Sequence, residues 1–450
     1  MKARITVLAV LISLIILAPP PEAGLPATAG GGQGKEKWKE DFAVRARKHI
    51  EAMVAIGPRR AGSPNEGTAS SYVAGQFRAM GIPAIIEPFV FESFEPSGIA
   101  LRIGNEEFTP AGLGMDPYAG DFGTSYSGAF HLLDPGAQSG WPSAEDVAGK
   151  AAVTSEAGDP SLHFRIAALR PKIIIDLSPG DLKRIWDLKE RDVALAFRGT
   201  YIRGTSRNVI ARLGSKPPAP QIIVGSHLDA YRDCPGANDN ASGVAALLEV
   251  ARWLKGLDIP EEIGLTFIAF GAEEAGILGS RRYVERHAEE MKNCRLAFVF
   301  DDLGGGVSVQ IERNGGLKDS PQNSGVSRIP GAYQGRTWEG LRYPWKLVPP
   351  PALFAALATP IHPAWLVDRI DEAVKELDFD VQFTQIQGSD QMSFAQAGIA
   401  TCGISAPSGR SHTPDDRPNT VDIEKVRKCA EAAGRIIRGI WTRLQSGPQK

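Results

Sequence analysis

The sequence predicts an α/β fold, a mostly parallel sheet sandwiched by helices, with a smaller β-rich domain inserted into the chain. Three observations lead to this prediction. From residue 221 onward, apolar runs typical of strands buried on both faces alternate with amphipathic helical patterns. Residues 98–199 instead show short β-type runs separated by Gly, Pro and Asp. Finally, a chain of 450 residues is long enough for two or three domains.

The predicted elements follow in chain order. Residues 38–56 carry apolar residues at helical spacing, and residues 70–80 form a second helix that stops at Gly81. A strand-like segment covers residues 82–94. In the second half of the chain we expect strands within 221–229, 261–274, 295–305 and 398–407, and helices over 241–257, capped by Gly256, and over 421–444.

The composition excludes several classes of protein. Hydrophobic residues make up 43% and charged residues 23% of the chain, so most of it is neither disordered nor a coiled coil. Lys and Arg total 50 against 52 Asp and Glu, a formal net charge of −2. Such a balance gives no electrostatic reason to bind nucleic acid or an anionic membrane surface, and we predict neither partner.

The first residues have the pattern of a secretory signal. Lys2 and Arg4 precede an apolar run over residues 5–18, which is too short to span a bilayer comfortably and is followed at once by prolines. Ala27 and Ala29 provide a signal-peptidase site. We predict a signal peptide over residues 1–29 and a secreted or periplasmic mature chain with no membrane attachment; an uncleaved N-terminal membrane anchor is the alternative.

Four cysteines follow the signal segment, at positions 234, 294, 402 and 429. An even number in an oxidising compartment permits disulfides, but the spacings match no zinc ribbon or redox motif. Three of the four lie in or near apolar segments, which favours buried free thiols. We therefore assign no bridge.

Side chains that can bind metals follow the predicted strands: His227 and Asp229, then Asp239, Glu273 and Glu274, Asp301 and Asp302, and finally His412. Ligands of an open α/β sheet bind at the carboxyl ends of its strands. Each group alone is a weak signal, since an H-x-D or E-E pair is usually a solvated turn and Asp239 could cap the helix beginning near Ala241. Five such segments at one edge favour a site for one or two divalent metals, and mixed nitrogen and oxygen ligands favour zinc.

These motifs, in order, resemble a known enzyme family. GPRRAGSPNE, HLD, GANDNASG, the EE pair, FDDLGG, GSDQMSFAQAGIAT and SHTPDD are similar to the co-catalytic zinc aminopeptidases of peptidase family M28, whose relatives include glutamate carboxypeptidases and glutaminyl cyclases. The resemblance covers residues 38–93 and 206–444. The segment between them resembles a protease-associated insert, with VAGKAAVTSE as a weaker signature.

The resemblance implies a zinc-exopeptidase fold of the phosphorylase/hydrolase-like type and a division into domains. The expected ranges are an N-terminal part of the peptidase domain at 35–95, the insert at 96–204, and the catalytic domain at 205–445 with a further insertion at about 304–345.

It also implies roles for single residues. His227 and Asp301 resemble the ligands of one zinc ion, Glu274 and His412 those of a second, and Asp239 the carboxylate that bridges both. Asp229 resembles the residue that orients the first histidine, and Glu273 the general base. The expected function is an exported di-zinc aminopeptidase that acts on peptides.

Some positions depart from the family pattern. Asp302 could be the ligand in place of its neighbour, although Gly304 favours Asp301. Gln391 stands where relatives often have His or Tyr, Ser411 where many have Tyr, and Arg417 where Thr is usual. The lining of the pocket and an oxyanion donor at position 411 are therefore open.

Three alternative functions remain at this point. Arg336, Arg342 and Lys346, beside aromatic residues, could bind a substrate carboxylate, as a carboxypeptidase or dipeptidase requires, or could simply form a solvated lid. A glutaminyl cyclase lacks the H-x-D histidine, so His227 argues against that activity. A non-catalytic ectodomain of this fold would have lost metal ligands, whereas every ligand position is filled here.

Overall fold

The computed structural model describes residues 31–108, 112–114, 125–133, 142–155, 169, 171, 173–177, 179–186, 188, 192–257, 259–306, 308–313, 362–384 and 389–445. The predicted signal peptide, most of the predicted insertion at about 304–345, and the basic residues Arg336, Arg342 and Lys346 lie outside these residues.

The described part of the chain contains thirteen strands, which are β1 (Ala84–Ile103), β2 (Glu106–Phe108), β3 (Gly112–Gly114), β4 (Ser125–Leu132), β5 (Ala151–Ser155), β6 (Ile173–Leu177), β7 (Asp192–Gly214), β8 (Gln221–His227), β9 (Gly264–Phe270), β10 (Cys294–Phe300), β11 (Val309–Glu312), β12 (Val381–Thr384) and β13 (Thr401–Ser405).

Its α-helices are α1 (Gly31–Ala55), α2 (Pro64–Ala79), α3 (Ala144–Val147), α4 (Pro179–Trp186), α5 (Gly243–Lys255), α6 (Leu278–Arg286), α7 (Ala288–Met291), α8 (Ala364–Lys375), α9 (Gln391–Gln396) and α10 (Ile423–Gln445). A π-type turn over Ala237–Ser242 leads into α5.

The strands form one sheet in the order β12-β11-β13-β10-β8-β9-β7-β4-β5-β6-β3, and β1 pairs with both β7 and β2. The four central strands, β13, β10, β8 and β9, are parallel. The strands flanking them, β11 and β7, are antiparallel to them. The predicted α/β class is confirmed, with a parallel centre in a sheet that is mixed as a whole.

Helices cover both faces of the central strands. Alternate residues of β8, such as Ile222 and Val224, pack in one cluster with α1, α2, α5, α8 and α10. Ile223 of the same strand packs on the opposite face in a second cluster, which includes Tyr283 of α6 and Phe394 of α9. This burial on both sides explains why the central strands read as continuous apolar runs rather than alternating ones.

A separate apolar cluster lies between residues 101 and 195. Its members include Leu101 of β1, Val153 of β5, Ile175 of β6 and Leu195 of β7. The long antiparallel ribbon of β1 and β7 runs from this cluster to the central sheet. The predicted domain boundaries at 95/96 and 204/205 fall inside these two strands. The division of the chain into domains at these positions stays a prediction.

Several local predictions agree with the structure. Helices α5 and α10 occupy the predicted segments, and Gly256 is the C-cap residue of α5. Helices α1 and α2 end within one residue of the predicted position but begin earlier, at Gly31 and Pro64. All four cysteines are buried and free, whereas the sequence favoured this state for three of them. Along the described chain, no helix is both long and apolar enough to cross a membrane.

Candidate metal centre

The carboxyl ends of the central strands bring the predicted site residues together. His227 is the last residue of β8, and its Cα is paired with Phe270 at the end of β9. Phe300 at the end of β10 is paired with Ser226, so the loops that follow the three strands leave the sheet side by side. The observed edge is therefore the one that the sequence predicts.

The first group of possible metal ligands consists of His227, Asp239 and Asp301. The Nε2 atom of His227 lies 3.2 Å from Oδ1 of Asp239 and 3.2 Å from Oδ1 of Asp301. Both the histidine and Asp239 are buried.

The second group consists of Asp239, Glu274 and His412. The Nε2 atom of His412 lies 3.1 Å from Oδ2 of Asp239 and 3.1 Å from Oε2 of Glu274. The two oxygens of Asp239 thus belong to different groups, which is the arrangement of a bridging carboxylate.

These separations fit zinc. Two ligand atoms on one tetrahedral zinc ion, each bonded at about 2.0–2.1 Å, lie about 3.3 Å apart. The four observed separations are 3.1–3.2 Å. In addition, Oε1 of Glu274 is buried and has no hydrogen-bond partner among the described residues, as expected of an atom that ligates a cation.

Asp229 lies outside both groups of possible ligands and contacts residues of each. Its Oδ1 lies 3.5 Å from Nδ1 of His227. Its two carboxylate oxygens also accept the main-chain N–H groups of Glu273 and Glu274, each at 3.1 Å. One buried carboxylate therefore faces a ligand on β8 and fixes the backbone of the glutamate pair after β9.

The protonation behaviour of the cluster also fits a cation site. Burial lowers the pKa of His412, but hydrogen bonds to Asp239 and Glu274 outweigh this effect and raise it to about 11. Burial and the charge of Asp239 raise the pKa of Glu274 to about 7. Burial likewise raises the pKa of Glu273 well above its usual range. Without a metal the cluster retains protons, and a divalent cation would displace them.

Comparison with known proteins shows which family the chain resembles. The family model described as Peptidase family M28 matches residues 208–334, a range that includes His227, Asp239, Glu273, Glu274 and Asp301. Aminopeptidase YwaD of Bacillus subtilis is 28% identical over 339 residues, which cover 68% of this chain and 72% of that protein. Residues 208–334 therefore resemble peptidase family M28, and a longer part of the chain is similar to an aminopeptidase.

Solved structures show the same fold. An aminopeptidase from Aneurinibacillus sp. strain AM-1 superposes with a TM-score of 0.59 at 21% identity, covering 89% of this chain and 95% of the other. BSAP, a zinc aminopeptidase from Bacillus subtilis, gives a TM-score of 0.51 at 20% identity, covering 88% and 95%.

Asp302, the alternative ligand that follows β10, is not part of either group of possible metal ligands. Its carboxylate accepts hydrogen bonds from the side-chain amide of Asn238, the main-chain N–H of Ser408 and, at 2.6 Å, the hydroxyl of Ser411. Through these contacts Asp302 links the loop of Asn238 to the loop of Ser408 and Ser411. In this arrangement the Ser411 hydroxyl donates its proton to Asp302.

The other two departures from the family pattern differ in burial. Gln391 is buried at the start of α9, and Arg417 is exposed, with its Nε donating to the carbonyl of Pro414. The structure also reveals buried residues that received no role from the sequence, notably Arg59 and Asp416. Both lie within quoted family motifs, but only the folded loops show what they contact.

Backbone strain concentrates at the site. All five non-glycine residues with left-handed φ in the described chain lie on loops after the central strands: Arg232, Ala272, Ile277, Asp302 and His412. Such conformations persist only where the surroundings enforce them, and they cluster at functional sites.

Proposed function

We propose that the chain is an exported di-zinc aminopeptidase that removes N-terminal residues from peptides. The observation that supports it best is the shared carboxylate: Asp239 presents one oxygen to His227 and the other to His412. A single metal would need only one of these oxygens, so the arrangement favours two ions. The donor set of two imidazoles and three carboxylates suits zinc.

The proposed ligands are His227 and Asp301 for one zinc, Glu274 and His412 for the other, and Asp239 for both. Zinc supplies Lewis-acid chemistry: it acidifies water, polarises the scissile carbonyl and stabilises the oxyanion. Asp229 keeps the first histidine in the orientation that directs its Nε2 toward the site, a role that outer partners of metal ligands commonly have.

Glu273 is the proposed general base. It lies next to a proposed ligand but belongs to neither ligand group, so its carboxylate is free to take a proton. It is 8% exposed, and its main chain is fixed by Asp229. It accepts the proton of the attacking water and passes it to the leaving amine, because one carboxylate near both atoms can act first as base and then as acid.

The names of the relatives favour an aminopeptidase over a carboxypeptidase. The Bacillus protein that aligns over most of its length and both superposed structures are described as aminopeptidases, and one of them as a zinc aminopeptidase. The filled ligand and base positions argue against a non-catalytic ectodomain. Export is supported by the signal pattern of residues 1–29, and N-terminal sequencing of the protein from its secreting host tests it.

A substrate panel tests the proposed activity. Leucyl p-nitroanilide and a free dipeptide amide are compared with the same compounds N-acetylated, and with an N-acetyl dipeptide that has a free carboxylate. We expect cleavage only where the amine is free. Cleavage of the N-acetyl dipeptide would instead establish a carboxypeptidase, and no cleavage by the zinc-loaded protein would favour the ectodomain.

A further inference from the structure

Two buried charged residues outside the ligand groups hold the backbone that leads to Asp239. The guanidinium of Arg59, on a residue with no exposed surface, donates to the carbonyls of Pro235 at 2.8 Å and Gly236 at 2.7 Å. It also donates at 3.0 Å to the carbonyl of Leu228, which directly follows the β8 histidine. One side chain therefore fixes both ends of the loop between β8 and Asp239.

The carboxylate of Asp416 holds the next part of the same loop. Its Oδ1 accepts the main-chain N–H of Asn238 at 2.7 Å, and its Oδ2 accepts that of Asp239 at 3.0 Å. Its main-chain oxygen accepts the N–H of Ala237 at 3.3 Å. Asp416 is 1% exposed and follows His412 closely in the chain, so it connects the loop of that histidine to Asp239.

The loop of residues 235–239 needs these partners. Gly236 is in the left-handed region with φ of 64°, and a Cβ atom there would lie 2.7 Å from Nη2 of Arg59. Asp239 has non-helical backbone angles inside its π-type turn. Buried backbone groups in an irregular segment must find partners outside it. Here the buried guanidinium of Arg59 is the partner of the carbonyls, and the buried carboxylate of Asp416 is the partner of the amides.

We propose that Arg59 and Asp416 are positioning residues that together fix Asp239 between the two metal positions. This inference rests on the proposed di-zinc function. A bridging carboxylate has to hold both oxygens within about half an ångström of the productive geometry, so the loop that carries it must be rigid. Loss of such a supporting partner typically lowers metal affinity by about 10–100-fold.

Two conservative variants test the inference. Asp416→Asn keeps the shape, but only one of its side-chain atoms can accept, so one of the two amides at Asn238 and Asp239 loses its acceptor. Arg59→Lys keeps the charge but replaces a planar fork with one compact donor group, which cannot serve carbonyls on both ends of the loop.

Glu249→Gln is the matched control. Glu249 is as buried as Arg59 and binds Arg45 and Arg252 in a charged network between α1 and α5. Its replacement removes a buried charge without touching the Asp239 loop. We expect this variant to lose thermal stability while keeping wild-type zinc affinity.

The readouts are zinc affinity of metal-depleted protein, measured by chelator competition, and the visible spectrum of the cobalt-substituted protein. We expect both test variants to bind zinc about 10–100-fold more weakly, with an altered cobalt spectrum and a melting temperature no lower than that of the control. If the wild type binds two zinc ions and both variants keep its zinc affinity and cobalt spectrum, the inference about Arg59 and Asp416 is overturned while the proposed function stands. A wild type that binds fewer than two zinc ions would overturn the proposed function and the inference with it.

Discussion

The imidazole of His412 stacks on the ring of Tyr231, with centroids 4.4 Å apart and planes inclined by 20°. His412 is the most exposed of the proposed ligands, with 45% of its side chain accessible. Tyr231 follows β8 on the chain, so the contact joins the loops of two different strands. The ring of Tyr231 therefore packs against a face of the His412 imidazole that the sheet does not cover.

Tyr231→Ala should therefore weaken the zinc position that His412 and Glu274 form. Removing the ring lets the imidazole tilt. We expect the affinity for one of the two proposed zinc ions to fall about 10-fold, which is the size of effect known for residues that contact metal ligands from outside the site. Zinc content after dialysis against graded chelator measures this. Tyr231→Phe keeps the ring and should behave as wild type; equal retention by the alanine variant would show that the stack has no such role.

Asp229→Asn should impair both the metal site and the glutamate pair. The amide nitrogen cannot accept one of the N–H groups of Glu273 and Glu274, and the negative charge facing His227 is lost. We expect kcat/KM to fall about 10–100-fold together with weaker zinc binding. Asp233→Asn, at an exposed position of the same loop, is the control. An Asp229 variant that matches this control in both measurements would contradict the assignment.

Glu66 should make stability fall as pH rises. The residue has no exposed surface, and it accepts hydrogen bonds from the main chain of Gly62 and the hydroxyl of Ser206. Burial, followed by the charge of Asp229, raises its pKa to about 8. Because the folded pKa lies above the unfolded one, the stabilising contribution of the proton is complete below about pH 4.3 and is lost as pH rises through about 8.

Glu66→Gln imitates the protonated carboxyl and should remove this dependence. We expect the melting temperatures of variant and wild type, both metal-depleted, to be similar at pH 5 and the variant to melt higher at pH 8. A shift of one pKa unit corresponds to about 1.4 kcal/mol of free energy of unfolding. Glu262→Gln, at an exposed position, is the control. A difference between Glu66→Gln and wild type that is the same at both pH values would refute the prediction.

Substitutions of the adjacent residues Glu273 and Glu274 should impair different properties of the enzyme, the first the chemical step and the second zinc binding. Glu273→Gln retains shape but cannot accept a proton, so we expect kcat to drop at least ~10²-fold with KM little changed and wild-type zinc content. Glu274→Gln should instead lose zinc, with activity partly recovered by added zinc. Zinc loss in the first variant and retention in the second would reverse the two assignments.

The fold and the place of the site could be predicted because they depend on periodicity. Continuous apolar runs identify strands buried on both faces, and parallel strands must present the residues after them at one edge. That is why His227, Glu274, Asp301 and His412, far apart in the chain, could be assigned to one location from their positions after the predicted strands.

Other features could not be predicted because they depend on loop geometry. The position of Gly304 favours Asp301 as the carboxylate that faces His227, but no pattern predicts that the left-handed backbone of Asp302 directs its side chain to Ser411. Arg59 binds main-chain carbonyls, which leave no trace in residue types. The helix α9 is short, and its apolar residues show too few turns to establish a period.

The number of zinc ions bound per purified wild-type chain is the decisive measurement for the di-zinc proposal. Because Asp239 contacts both histidines through different oxygens, we expect metal-depleted protein to take up two zinc ions per chain, in a titration that ends at two equivalents. A titration that ends at one equivalent, or no zinc uptake at all, would contradict it.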